Sequence, residues 1–178
     1  GTLTLGDTAG IDYETITLNV GSAGSATLTE AGTPTFADSG DSIVVTGSGD
    51  FALSIADVAL GAHATAGSQT AATINASAHT GELTVALGAL TTTNNVSAEK
   101  FTGVDKITLE TAAANTDLNI LTKVASGTTV GIVATEAADN KLTITQSGTA
   151  TDDTLTVELN HKTAGSEIDL TALVVDGF

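Results

Sequence analysis

A hydropathy period of two, carried from one end of the chain to the other, constrains this sequence more than any other feature. Leu3 and Leu5 alternate with Thr2 and Thr4, and Ile16, Leu18 and Val20 alternate with Thr15, Thr17 and Asn19. Phe51/Leu53/Ile55, Leu83/Val85/Leu87, Ile107/Leu109, Leu118/Ile120, Leu142/Ile144 and Leu155/Val157/Leu159 follow the same rule. Successive side chains of an extended chain point to opposite faces, so each run has one apolar and one polar face. Threonine fills most of the polar positions, being β-branched and tolerant of a wet surface. Turn-forming residues cluster between the runs, at Gly21–Ser25, Asp38–Asp41 and Gly47–Asp50, and Pro34 is the single proline. At least eight short strands follow, with Ala112-Ala113-Ala114 as the only stretch suited to a helical turn.

Short internal likenesses suggest stacking. Ala138–Ile144 matches Thr151–Val157 thirteen positions later, and Gly40–Val45 is a looser copy. Tyr13–Leu18 pairs in pattern with Val104–Leu109, and Asp176-Gly177-Phe178 looks like the opening of another copy. Strands too short to close their own core bury apolar columns by stacking, as in a solenoid. The expected fold is therefore all-β, an elongated irregular β-solenoid or β-helix-like stack, with a β-sandwich as the alternative. Residues 1–178 are expected to form one β-rich segment of a larger repetitive protein, with a sub-boundary near 91–100.

Composition narrows the function. Of 178 residues, 21 are Asp or Glu and 5 are Lys or Arg, all of the latter lysines, for a net charge of −16. Such a chain offers no cationic face for nucleic acid. Without cysteine it has neither a disulfide framework nor a zinc ribbon. No apolar run approaches the length of a membrane span, so direct membrane insertion is not expected. The absence of both Cys and Met leaves little that oxidises readily, which suits a long-lived extracellular protein. Catalysis has little support: His63, His79 and His161 have no partners at fixed spacing, and neither a Gly-x-Ser-x-Gly nor a His-Glu-x-x-His motif occurs. Asn75-Ala76-Ser77 and Asn95-Val96-Ser97 match the glycosylation sequon by pattern alone.

Three motifs, with this composition, resemble the surface-layer proteins of Gram-negative bacteria that are exported by type I secretion and related to RTX calcium-binding proteins. The motifs are Gly103-Val104-Asp105-Lys106-Ile107-Thr108-Leu109, Ile74–Val85, and Asp152-Asp153-Thr154-Leu155. No full Gly-Gly-x-Gly-x-Asp tandem is present, so an irregular solenoid is expected rather than a regular calcium roll. The resemblance implies an extracellular, cell-surface structural subunit that assembles with copies of itself, beside neighbouring domains of the same chain, with calcium holding folds and contacts together. An adhesin or other secreted solenoid binding module is the alternative. Tyr13, Phe36, Phe51, Phe101 and Phe178 fall mostly on apolar strand faces and read as core rather than as a ligand patch.

Calcium takes six to eight oxygen ligands, mixing carboxylates with turn carbonyls. Asp38 and Asp41 flank a glycine, and a hairpin-like return would add Asp50. Asp139 with Asp152 and Asp153 forms a second candidate set, stacked if thirteen residues make one coil. Asp7 and Asp12, with Glu14, form a third.

Overall fold

The computed structural model describes residues 2–6, 15–31, 42–55, 73–89, 95–110, 119–134, 142–148, 152–161, 163 and 173–178. The described chain is almost entirely extended. Strands are numbered in chain order. A seven-stranded sheet takes β1 (Thr2–Gly6), β3 (Gly24–Ala31), β5 (Phe51–Ile55), β7 (Leu83–Ala89), β10 (Lys106–Glu110), β12 (Thr129–Ala134) and β14 (Thr156–His161), in that spatial order. The intervening strands form the second face. One four-stranded sheet orders β2 (Thr15–Val20), β4 (Ser42–Gly47), β6 (Thr73–His79) and β9 (Phe101–Thr102). The other orders β15 (Leu173–Asp176), β13 (Leu142–Gln146), β11 (Asn119–Val124) and β8 (Asn95–Ser97). Within the described residues every strand pairing is parallel. The chain is thus a β-solenoid. A sandwich of hairpins would have required antiparallel neighbours.

The alternation explains the core. Parallel in-register pairing places each inward residue on its counterpart one coil away. One column runs Leu53, Val85, Ile107, Val130, Val157 through the seven-stranded sheet. On the second face Ile16, Ile43, Ile74 and Phe101 form one column, and Val96, Leu121, Ile144 and Val175 another. Ile43, Ile74, Val85, Leu121, Val130 and Ile144 have no solvent exposure. Burying each such side chain contributes about 1.5–3 kcal/mol. Thr15 and Ser42 meet outside the core, hydroxyl to hydroxyl at 3.3 Å.

Position along the stack modifies the sequence expectation. Val85, Leu109 and Ile144 are buried as the alternation requires, but Leu18 and Val157 are only half-buried. Both belong to the outermost described coils, where one side of the column lacks a neighbour among the described residues. The side chain of Ile55, and residues 112–114, lie outside the described residues. The thirteen-residue likeness does not mark a coil. Thr15 aligns with Ser42, 27 residues on, and β13 and β14, which carry the two copies, lie in different sheets. The likeness therefore relates the two faces of one coil. Likewise β2 and β10, which carry the Tyr13 and Val104 copies, lie on opposite faces.

The face assignment is tested by paired substitutions. Leu109→Asp places a charge in a column that is 2% exposed and is expected to abolish the β signal in circular dichroism. Thr17→Asp, on an exposed position of β2, is expected to shift stability by no more than about 0.5 kcal/mol.

Candidate functional site

The edge where second-face strands turn into the seven-stranded sheet is the best-defined surface of the described chain. The connections are short, residues 21–23, 48–50, 80–82, 103–105 and 125–128. Their backbones continue the inter-coil ladder. Gly24 N–H donates to the Asp50 carbonyl at 2.9 Å, Phe51 N–H to Glu82 at 2.8 Å, and Thr129 N–H to Asp105 at 3.1 Å. Such close stacking restricts the residues at the turns. Gly47 has φ +102, and a Cβ there would lie 2.2 Å from the Val20 carbonyl oxygen. Only glycine satisfies both conditions.

The turn acids are acceptors within this ladder. Asp50 Oδ1 accepts from Glu82 N–H at 3.0 Å, and Asp105 Oδ2 accepts from Leu83 N–H at 2.8 Å. These carboxylates bind an adjacent coil's backbone, Asp50 that of the following coil and Asp105 that of the preceding one. Of the candidate calcium ligands, Asp38, Asp41, Asp7, Asp12 and Asp139, together with Glu14, lie outside the described residues. Asp50 stands beyond the C-terminal end of β4, whose six residues span about 20 Å from Ser42 at about 3.3 Å each. Asp152 is exposed and Asp153 half-buried in the segment leading into β14. There Gly127 N–H donates to the Thr154 carbonyl at 2.9 Å and Thr154 N–H to Ser126 Oγ at 3.2 Å. No group of three or more His, Cys, Asp or Glu suited to a metal occurs among the described residues.

A cleft of about 420 Å³ opens where the second face is interrupted. Ala98–Lys100 form a 3-10 turn between β8 and β9, so this coil pairs with β11 on one side and β6 on the other. The seven-stranded sheet continues through β7 and β10, with a register shift between Thr108 and Glu110. Phe101, Val104, Asp105, Ser126 and Thr128 line the cleft. Lys123 Nζ donates to Glu99 Oε2 at 2.7 Å and ties β11 to the turn. Lys123 has φ +55 and sits where β11 slips register against β13, so it takes the extra residue of a bulge. Its hydrogen bond holds the Glu99 carboxyl below the ordinary glutamate value, with the Lys123 and Lys100 charges adding and desolvation opposing.

Other distinctive residues serve the coil geometry. Asn75 Oδ1 accepts from Ser77 N–H at 3.1 Å and Ser77 Oγ at 2.7 Å, where β6 shifts register against β4. The Asn-Ala-Ser motif thus staples a bulge. Lys106 pairs with Glu158 across β12, and Gly131 leaves the space, since a Cβ there would meet Thr108 Cγ2 at 2.8 Å. Both ring nitrogens of His79 are buried without a hydrogen-bond partner. His161 lies in β14, and His63 is outside the described residues. Phe101 is buried and Phe51 half-buried, whereas Phe178 is exposed; Tyr13 and Phe36 are outside the described residues.

Two consequences can be measured. Asp105→Ala strands the N–H of buried Leu83 and is expected to lower unfolding free energy in urea by about 1–3 kcal/mol, while Asp105→Asn retains an acceptor and most of the stability. Glu99→Gln is expected to lower the urea midpoint slightly at neutral pH. Because the folded carboxyl is held below its ordinary value, its contribution is present above that value and is lost as pH falls through the lowered one. The wild-type advantage should therefore vanish in acid and in high salt.

No protein-family model, curated protein or solved structure matches the chain.

Proposed function

We propose that this chain is a structural subunit of an extracellular bacterial surface layer, assembled with copies of itself into a calcium-stabilised lattice. The observation that carries the reading is the parallel coil stack. Its side chains are engaged along the stack, apolar columns inside and turn carboxylates on an adjacent coil's backbone. That is the architecture expected of a load-distributing body. It accords with the resemblance of the Gly103–Leu109, Ile74–Val85 and Asp152–Leu155 segments to type I-secreted surface-layer proteins. The acidic balance, −16 in all, adds self-repulsion that divalent cations relieve.

The proposal assigns calcium first to Asp38, Asp41 and Asp50, whose Oδ1 also accepts from Glu82 N–H, then to Asp139, Asp152 and Asp153, and then to Asp7 and Asp12. The test has two readouts. Electron microscopy of the purified protein is expected to show ordered sheets with calcium and dispersed particles with chelator. Dispersed particles in both conditions that bind a cell-surface ligand would establish the adhesin reading instead. Thermal melts are expected to rise with millimolar calcium, one site contributing about 2.7 kcal/mol at a hundredfold excess over its Kd. Asp41→Ala is expected to lose that response, and an unchanged wild-type melt would remove calcium from the proposal.

A further inference from the structure

At one internal coil, residues 95–110, the two faces of the stack are built unequally. In the seven-stranded sheet, β10 of this coil pairs with β7 on one side and β12 on the other. On the second face no described strand of the coil does so. β9 pairs with β6 alone, Phe101 against Ile74 and Thr102 against Asn75. β8 pairs with β11 alone, from Asn95 to Ser97. The 3-10 turn Ala98–Lys100 carries the chain from one partner to the other. Elsewhere on this face β4 is bonded along its whole length to β2 and again to β6.

The core repeats the asymmetry. Under the seven-stranded sheet Val85, Ile107 and Val130 carry one column through the coil, all at 2% exposure or less. On the second face the column through Ile43 and Ile74 stops at Phe101, and another starts at Val96. Ala98, Gly103, Ala125 and Gly127 offer almost no side-chain volume between them, which leaves the cleft of about 420 Å³. Packed interiors resist deformation because their atoms are already in contact, and on this face that contact is missing. The side-chain tie across it is the exposed pair of Lys123 with Glu99, of a kind that contributes little. The opposite face is held by its ladder and by Lys106, which reaches across β12 to Glu158. The slip of β10 against β7 between Thr108 and Glu110 gives the sheet a local bend at the same level.

We propose that the coil of residues 95–110 is a hinge. The stack flexes about the seven-stranded sheet, and the cleft between Gly103–Asp105 and Ala125–Thr128 opens and closes on the other face. The bond from Thr129 N–H to the Asp105 carbonyl, 3.1 Å long, stays in place on the axis. The arms are the second-face sheets β2-β4-β6-β9 and β8-β11-β13-β15, each backed by its part of the seven-stranded sheet. Hinges of this kind confine a large change to a few residues at element ends. The inference concerns the shape of the single chain and does not rest on the surface-layer reading.

Pulsed electron paramagnetic resonance of the full chain tests it. The chain has no cysteine, so introduced pairs carry spin labels at defined places. Val44→Cys with Thr143→Cys spans the coil on the outward side of the second face, and Ser54→Cys with Thr156→Cys spans it on the seven-stranded sheet. Asn19→Cys with Ala78→Cys, both exposed, stays within one arm. The Val44–Thr143 distance distribution is expected to be broad and the other two narrow, with the β spectrum unchanged in all three. Equal widths in the three pairs overturn the hinge. Amide hydrogen exchange of the wild type repeats the test without substitutions. Val96–Thr102 is expected to exchange roughly tenfold faster than Ile43–Val45 or Lys106–Thr108. Equal protection of the three segments overturns the proposal.

Discussion

Everything in this molecule depends on the parallel hydrogen-bond ladder between successive coils. A parallel pair aligns residues that are one full coil apart, so like must lie on like for the columns to be continuous. Isoleucine stacks on isoleucine at positions 16, 43 and 74, and the β-branched shape packs well on the pleated surface. No single coil buries enough to stand alone, and each gains its core from the coils on either side. The few aromatics follow from the same rule, because columns of small and branched side chains fill the narrow space between the two faces.

The ladder also governs where polar chemistry can sit. A carboxylate at a tight turn lies beside N–H groups of the adjacent coil, and Asp50 and Asp105 use that proximity. Where the ladder slips, local devices repair it. Asn75 and Ser77 close one bulge, and Lys123 absorbs another while reaching Glu99 across the interrupted coil. Distinctive residues on the described surface thus serve the stacking of coils.

The strands with strict alternation were legible, because a half-buried parallel strand writes its two faces directly into sequence. Val130-Gly131-Ile132-Val133 hid β12, since glycine occupies the outward position over which Lys106 passes and interrupts the polar face. β8 and β9 hid because two or three paired residues are too short to show a period. The thirteen-residue likeness does not give the coil length, since both faces of a coil obey one hydropathy rule and so resemble each other. The roles of Asp50 and Asp105 were not legible, because a turn carboxylate reads the same whether its partner is an ion or an N–H group. A signal existed: each lies immediately before a strand, where an adjacent coil's backbone passes.

Neighbouring turns joined through their carboxylates lie 22 residues apart at Asp105 and Leu83 but 32 apart at Asp50 and Glu82. Rise per coil is nonetheless fixed by the ladder. Chain length and axial pitch are therefore uncoupled: the ladder aligns Phe51 with Leu83 across 32 residues and Val85 with Ile107 across 22. Such a body can diversify its sequence coil by coil while its mechanical repeat stays constant.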